Sequence, residues 1–167
     1  EISTITDDGQ TVIYTDALGK RIGFLDISDP TAPVGAGTLD LSEIGNADDQ
    51  PTSVAAVGDH VLVVIDESGG DFVNPAGRVD VVRLSDHTVV NSVDLGGQPD
   101  SIAISPDGTF AAIAMENQRD EDLTPPGAEE GELPQLPAGS VQVLDLTPSD
   151  ATTWSATEVP LVLPNGD

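Results

Sequence analysis

Cysteine is absent from this chain, which removes disulfides and thiolate metal sites from consideration. Lysine occurs once, at Lys20; Lys plus Arg total 5 against 30 for Asp plus Glu, a formal net charge of −25. A surface so short of cations repels a phosphate backbone, which argues against nucleic acid as a partner. An anionic membrane surface is disfavoured for the same reason, and no apolar run is long enough for membrane insertion. Such a charge favours solubility, cations, basic proteins or a salty medium. Helical patterning is missing as well, because no segment sustains a 3.6-residue apolar period between caps. An initiating Met and a signal region are also missing, so the chain reads as trimmed.

Short apolar segments with turn punctuation fill the sequence instead. TVIYTD (11–16), RIGFLDI (21–27), HVLVVID (60–66), RVDVVRL (78–84), TFAAIAM (109–115) and SVQVLDL (140–146) read as strands. DDG at 7–9, SDP at 28–30 and PDG at 106–108 read as turns, with Asp as side-chain cap, Gly supplying positive φ and Pro fixing φ. The pattern repeats. QPTSVA (50–55) aligns without gaps on QPDSIA (98–103), and GRVDVVRLSD (77–86) matches KRIGFLDISD (20–29) and GSVQVLDLTP (139–148). A period of 40 to 50 residues decides the fold class.

The expected fold is therefore all-β: a β-propeller portion with three four-stranded antiparallel blades at about 1–49, 50–97 and 98–167. Strands are predicted at 2–6, 11–16, 21–27 and 34–41, then 53–57, 60–66, 78–84 and 89–94, then 101–105, 109–115, 140–146 and 158–163. Propellers close with roughly four to eight blades, so three leave open edges at both ends. The expected whole is a larger, seven-bladed ring, completed by remaining blades of the same protein or by partner chains. The start inside a first strand and the stop at PNGD both predict a fragment.

Antiparallel order assigns the loops to two faces. The DG and SD turns belong to the bottom. The top carries the QP segments and the links between second and third strands, which grow from ALGK through 67–77 to 116–139. That places Asp66, Glu67, Asp71, Asp100, Glu116, Asp120 and Asp122 on one face, with Asp48 and Asp49 nearby. Converging carboxylates are hard oxygen ligands suited to Ca²⁺. The alternative is a solvated acidic rim, with Arg119 pairing its neighbours and Lys20, Arg21 and Arg78 at the loop margins. No compact calcium loop is present, since DESGGDFVNPAG lacks the EF-hand spacing. His60 at a strand start and His87 in a bottom turn stand far apart in the repeat, which argues against a His metal pair. Ser53 and Ser101 have no His nearby in the pattern, so a hydrolase triad finds no support. Trp154 is expected to pack between blades.

SIAISPDGTFAAIA resembles the YVTN-type repeat of bacterial propellers. TDALGKRIGFLDISDPTAPV, VLVVIDESGGDFVNPAGRVDVVRL, GGQPDSIAISPDG and MENQRDED followed by LPQLPAG resemble the N-terminal half of secreted bacterial proteins described as having the esterase-like activity of phytase. That resemblance spans essentially the whole chain. It implies a secreted, periplasmic or cell-surface protein, calcium use, and phosphoric ester hydrolysis of a phosphorylated small molecule by a region beyond this chain, so no catalytic residue carries over. A second reading stands beside it: a non-catalytic extracellular propeller serving binding, adhesion or surface assembly. The scarcity of basic residues for phosphate favours this second reading for these residues.

Overall fold

The computed structural model describes residues 1–132 and 135–161. Twelve strands follow one another: β1 Ser3–Ile5, β2 Thr11–Asp16, β3 Arg21–Asp26, β4 Val34–Asp40, β5 Gln50–Val57, β6 His60–Asp66, β7 Gly77–Arg83, β8 Val89–Asp94, β9 Pro99–Ile104, β10 Phe110–Met115, β11 Ser140–Asp145 and β12 Ser155–Pro160. Each successive four make one antiparallel sheet in chain order, giving three sheets of four. Two single 3-10 turns, Leu41–Glu43 and Ala151–Thr153, are the helical residues among those described. The sheets stand side by side as propeller blades, their first strands adjacent. Thr4 Oγ1 accepts the Ala56 N–H at 3.2 Å, and Ser53 Oγ accepts the Ile102 N–H at 3.4 Å, stitching β1 to β5 and β5 to β9.

Three strands start two or more residues away from expectation, the others within one. β5 and β9 begin earlier, because the QP segments join the ladder through Gln50↔Asp66 and Pro99↔Met115. Proline is tolerated there, since each is a first strand at the edge of its sheet. The last strand lies at Ser155–Pro160, set by its register from Asp145↔Ser155 to Ser140↔Pro160. Residues 162 and 163 of the expected strand, and the PNGD terminus, lie outside the described residues.

The turns rest on one repeated device. In eight D-x-[ST] segments, beginning at Asp26, Asp29, Asp40, Asp66, Asp86, Asp107, Asp145 and Asp150, the carboxylate accepts the N–H of the second residue on. In six of these the hydroxyl of that residue donates to the same carboxylate oxygen. These Asx turns offer the chain a defined reversal that competes with continued strand. Eight of the 30 acidic residues thus serve turns, Asp66 on the top among them.

Burial follows the sequence pattern of each blade. Val61, Val63 and Ile65 of β6 face the first blade and pack with Ile13, Ile22, Phe24 and Leu39. Leu62 and Val64, alternating with them, face the third blade and pack with Ala111, Ile113 and Leu144. All five are 0% exposed. A strand covered on both faces reads as a continuous apolar run, which HVLVVID is. TVIYTD and TFAAIAM alternate because one face of each outer blade is uncovered. Ile5 (55%), Tyr14 (39%), Phe110 (43%) and Val159 (47%) remain exposed. Trp154 does pack between blades. Its Nε1 donates to the Pro148 carbonyl, and its ring meets His60 of the second blade edge-on at 5.7 Å.

Candidate functional site

The top carries the carboxylates that the antiparallel order assigned to it, each held by its own surroundings. Asp66 accepts the Ser68 N–H at 2.8 Å and Gln98 Nε2 at 3.4 Å. Asp71 takes the Asn74 N–H at 3.0 Å and Asn74 Nδ2 at 3.2 Å; those bonds, the Asn74 side chain foremost, lower its pKa. Asp120 accepts the Asp122 N–H at 2.9 Å. Asp100, Glu116 and Asp122 are exposed. Among the described residues no three such side chains gather closely enough to hold a metal ion.

The reason that β10 runs into this charged loop is visible in Gln98. Its Oε1 accepts the Gln118 N–H at 2.9 Å, its backbone N–H donates to Asn117 Oδ1 at 2.8 Å, and its carbonyl accepts the Glu116 N–H. The interblade link thereby closes the strand end, and Asn117 takes φ 46° to do so. Only Gly or a short polar side chain adopts that region readily. The rest of the 116–139 loop is described apart from Leu133 and Pro134.

Arg78 corrects the expectation that it sits at a loop margin. It is 8% exposed and forms the centre of a buried ion cluster. Nη1 meets Asp49 at 2.6 Å and Glu67 at 2.5 Å, and Nε meets Asp80 at 3.1 Å. Asp49 and Asp80 are each 1% exposed. Burial works against the charge on Arg78, but Asp49, Asp80 and Glu67 outweigh it and push the guanidinium pKa upward. Burial likewise pushes the Asp80 carboxyl up, with Ser92 and Arg78 opposing. Nη2 is buried with no hydrogen-bond partner among the described residues. It abuts Gly45, where a Cβ would come within 2.6 Å of it and 2.1 Å of Asp49 Oδ2. Asp49 comes from the interblade link, Glu67 from the β6–β7 loop, and Arg78 and Asp80 from β7, so the cluster locks that link onto the second blade. Glu67, expected as a metal ligand, pairs with Arg78 in this cluster. The signal available in sequence was Arg78 and Asp80 alternating on one face of an otherwise apolar strand.

A second correction concerns the histidines. His60 and His87 line one groove on the bottom, between the first two blades, because the β5–β6 and β7–β8 turns lie side by side. The groove is about 770 Å³, with Asp7, Asp8 and Asp59 around it and Phe24 and Leu84 within it. The His87 ring lies flat on Phe24, 3.7 Å between centroids and 9° between planes. The residue takes φ 57° to reach there. Burial pushes the His87 imidazole pKa down, with Asp86 opposing. Asp7 accepts the Gly58 N–H at 3.1 Å, joining the two walls. Ser53 is buried and serves the β5–β9 stitch, while Ser101 is exposed; neither is set up as a nucleophile.

Comparison with known proteins gives a family and a set of folds. A family model described as Choice-of-anchor I domain matches residues 1–162. No curated protein matches the chain. Among solved structures, hydrazine synthase of Kuenenia stuttgartiensis superposes with a TM-score of 0.60 at 18% identity, covering 99% of this chain and 39% of that one. A putative 6-phosphogluconolactonase of Bacteroides uniformis superposes with a TM-score of 0.60 at 14% identity, covering 99% and 45%. A functionally unknown protein of Desulfotomaculum acetoxidans gives 0.50 at 11% identity, covering 98% and 59%. At such identities the likeness is one of fold. The chain spans roughly two fifths to three fifths of the length of these structures. None of these matches supports the phytase-like family or YVTN-type repeats in particular.

Proposed function

The chain belongs to the Choice-of-anchor I domain family, and from that premise we propose that it is part of an extracellular, surface-held propeller module that works by binding. The observation that carries this reading is the contrast between its blades. The middle blade is buried on both faces, whereas Ile5 and Tyr14 at one end and Phe110 and Val159 at the other are 39 to 55% exposed. Uncovered apolar faces of this kind mark interfaces. Further blades of the same protein, or partner chains, would cover them. The anchor in the family description supports a surface location, and no helix of the described residues is long and apolar enough to cross a membrane.

Phosphoester hydrolysis rests on the sequence resemblance alone. Calcium at the top is a proposal of the same standing: binding there requires the 67–76 and 116–132 loops to exchange internal hydrogen bonds for the ion. One experiment addresses the main reading. Purified protein is assayed on p-nitrophenyl phosphate and on phytate, with calcium and with chelator, and its mass is followed by light scattering. The binding-module reading expects no turnover and concentration-dependent self-association through the open faces. Turnover that disappears in a Glu116→Gln, Asp120→Asn variant would place a hydrolytic site on the top loops and overturn it.

A further inference from the structure

We propose that the bottom groove between the first two blades is a docking site for a lysine- or arginine-bearing segment of a partner protein. The chain's own lysines and arginines are all engaged. There are 5, and every one is already in an ion pair. Lys20 pairs with Asp48, Arg21 with Asp16, Arg78 with Asp49, Glu67 and Asp80, Arg83 with Asp86, and Arg119 with Glu121. Arg83 is the cation at the groove, and Asp86 holds it at 3.0 Å. Asp7, Asp8 and Asp59 therefore face this space without a cation of their own. Asp8 is kept ionised by the Thr6 hydroxyl and the Gln10 N–H, which lower its pKa.

The space between these carboxylates suits a long basic side chain. At about 770 Å³ it is of the size that takes ligands. Its floor is a flat aromatic plane, the His87 ring stacked on a Phe24 that is 3% exposed, with Leu84 beside them. An aliphatic stem lies on such a floor while its charged head meets the rim. A guanidinium also stacks on aromatic planes. The walls are preformed, because the Asp7–Gly58 bond ties the β1–β2 turn of the first blade to the β5–β6 turn of the second and His87 holds a left-handed backbone with its ring on Phe24. Preorganisation reduces the ordering cost of binding. A second copy of this chain is disfavoured as occupant, since it carries −25 and no unpaired cation. An anionic ligand meets the same three carboxylates and is repelled.

The proposal rests on the binding-module reading only in requiring that a partner exist, and its test is separate from the hydrolysis and self-association measurements. A fluorescein-labelled peptide of alternating lysine and alanine is titrated into the protein, and its binding site is mapped by amide chemical shifts. An acidic peptide of the same length, alternating glutamate and alanine, serves as comparison. The expected result is that shifts concentrate at residues 7–8, 58–60 and 83–87. Asp59→Lys should weaken binding about tenfold, while Asp122→Lys, the same charge change on the top, should alter it less than about twofold. His87→Gly, which keeps the backbone and removes the ring, should weaken binding without changing its salt dependence. Equal losses in Asp59→Lys and Asp122→Lys would show diffuse attraction to an acidic protein and overturn the proposal. So would shifts centred elsewhere, or binding of the acidic peptide with similar affinity.

Discussion

Replacing Arg78 by Met tests the part of the structure with the largest electrostatic stake. The side chain sits at 8% exposure among Asp49, Asp80 and Glu67, the first two at 1%. Met fills much of the same volume and removes the only cation in the cluster. Two carboxylates are then left buried without a counter-charge, a change that costs about 3–5 kcal/mol. Domains of this kind have about 5–15 kcal/mol in total, so the variant should lose a large share of its stability. Arg83→Met is the comparison, since its pair with Asp86 is 45% and 47% exposed and is worth at most about 1 kcal/mol. Urea unfolding followed by fluorescence of the single tryptophan, Trp154, reads both.

A pH series adds a direction to this test. Burial already pushes the Asp80 carboxyl up against the opposing Arg78, so without Arg78 its folded-state pKa stands further above its unfolded value. The folded variant then binds more protons than the unfolded one between those values, so its deficit should shrink as pH falls from neutral towards the carboxylate range. Added salt should leave the deficit nearly unchanged, because a buried cluster is weakly screened. A loss below about 1 kcal/mol for Arg78→Met, or a deficit that grows on acidification, would refute the reasoning.

Gly77→Ala should destabilise strongly, because a Cβ there would stand 2.2 Å from Pro99 Cδ and 2.7 Å from the Gly97 carbonyl oxygen; a drop in melting temperature well beyond that of Gly35→Ala, where nothing lies within 4 Å, checks it. Burial pushes the His87 imidazole below its unfolded value near 6.5, with Asp86 opposing; its contribution is present above pH 6.5 and lost as pH falls below it, and His87→Gly should flatten melting temperature across that window. For the top loops, the calcium proposal expects a higher melting temperature in millimolar calcium than in excess chelator at matched ionic strength, with the difference lost in Glu116→Gln with Asp120→Asn; coincident curves in the unsubstituted protein would leave only a solvated acidic rim, its Asp66, Asp71 and Asp120 held by their local N–H donors.

What the sequence determined by itself was the architecture. Period-two patterning, D-x-[ST] turns and the QP and GRVDVVRLSD repeats are local or near-local signals, and they specified twelve strands, their grouping and the side on which each loop lies. That HVLVVID lies in a blade covered on both faces, where burial removes alternation, became visible only with the neighbouring blades in place. The site residues were legible only as belonging to a face. That Glu67 meets a guanidinium depended on where Arg78 pointed, which follows from the interblade link bringing Asp49 against β7. His60 and His87, separated by 26 intervening positions, meet on one groove because adjacent hairpins place their turns side by side. Such pairings arise from packing between strands and between blades, and pattern along one strand carries no record of them.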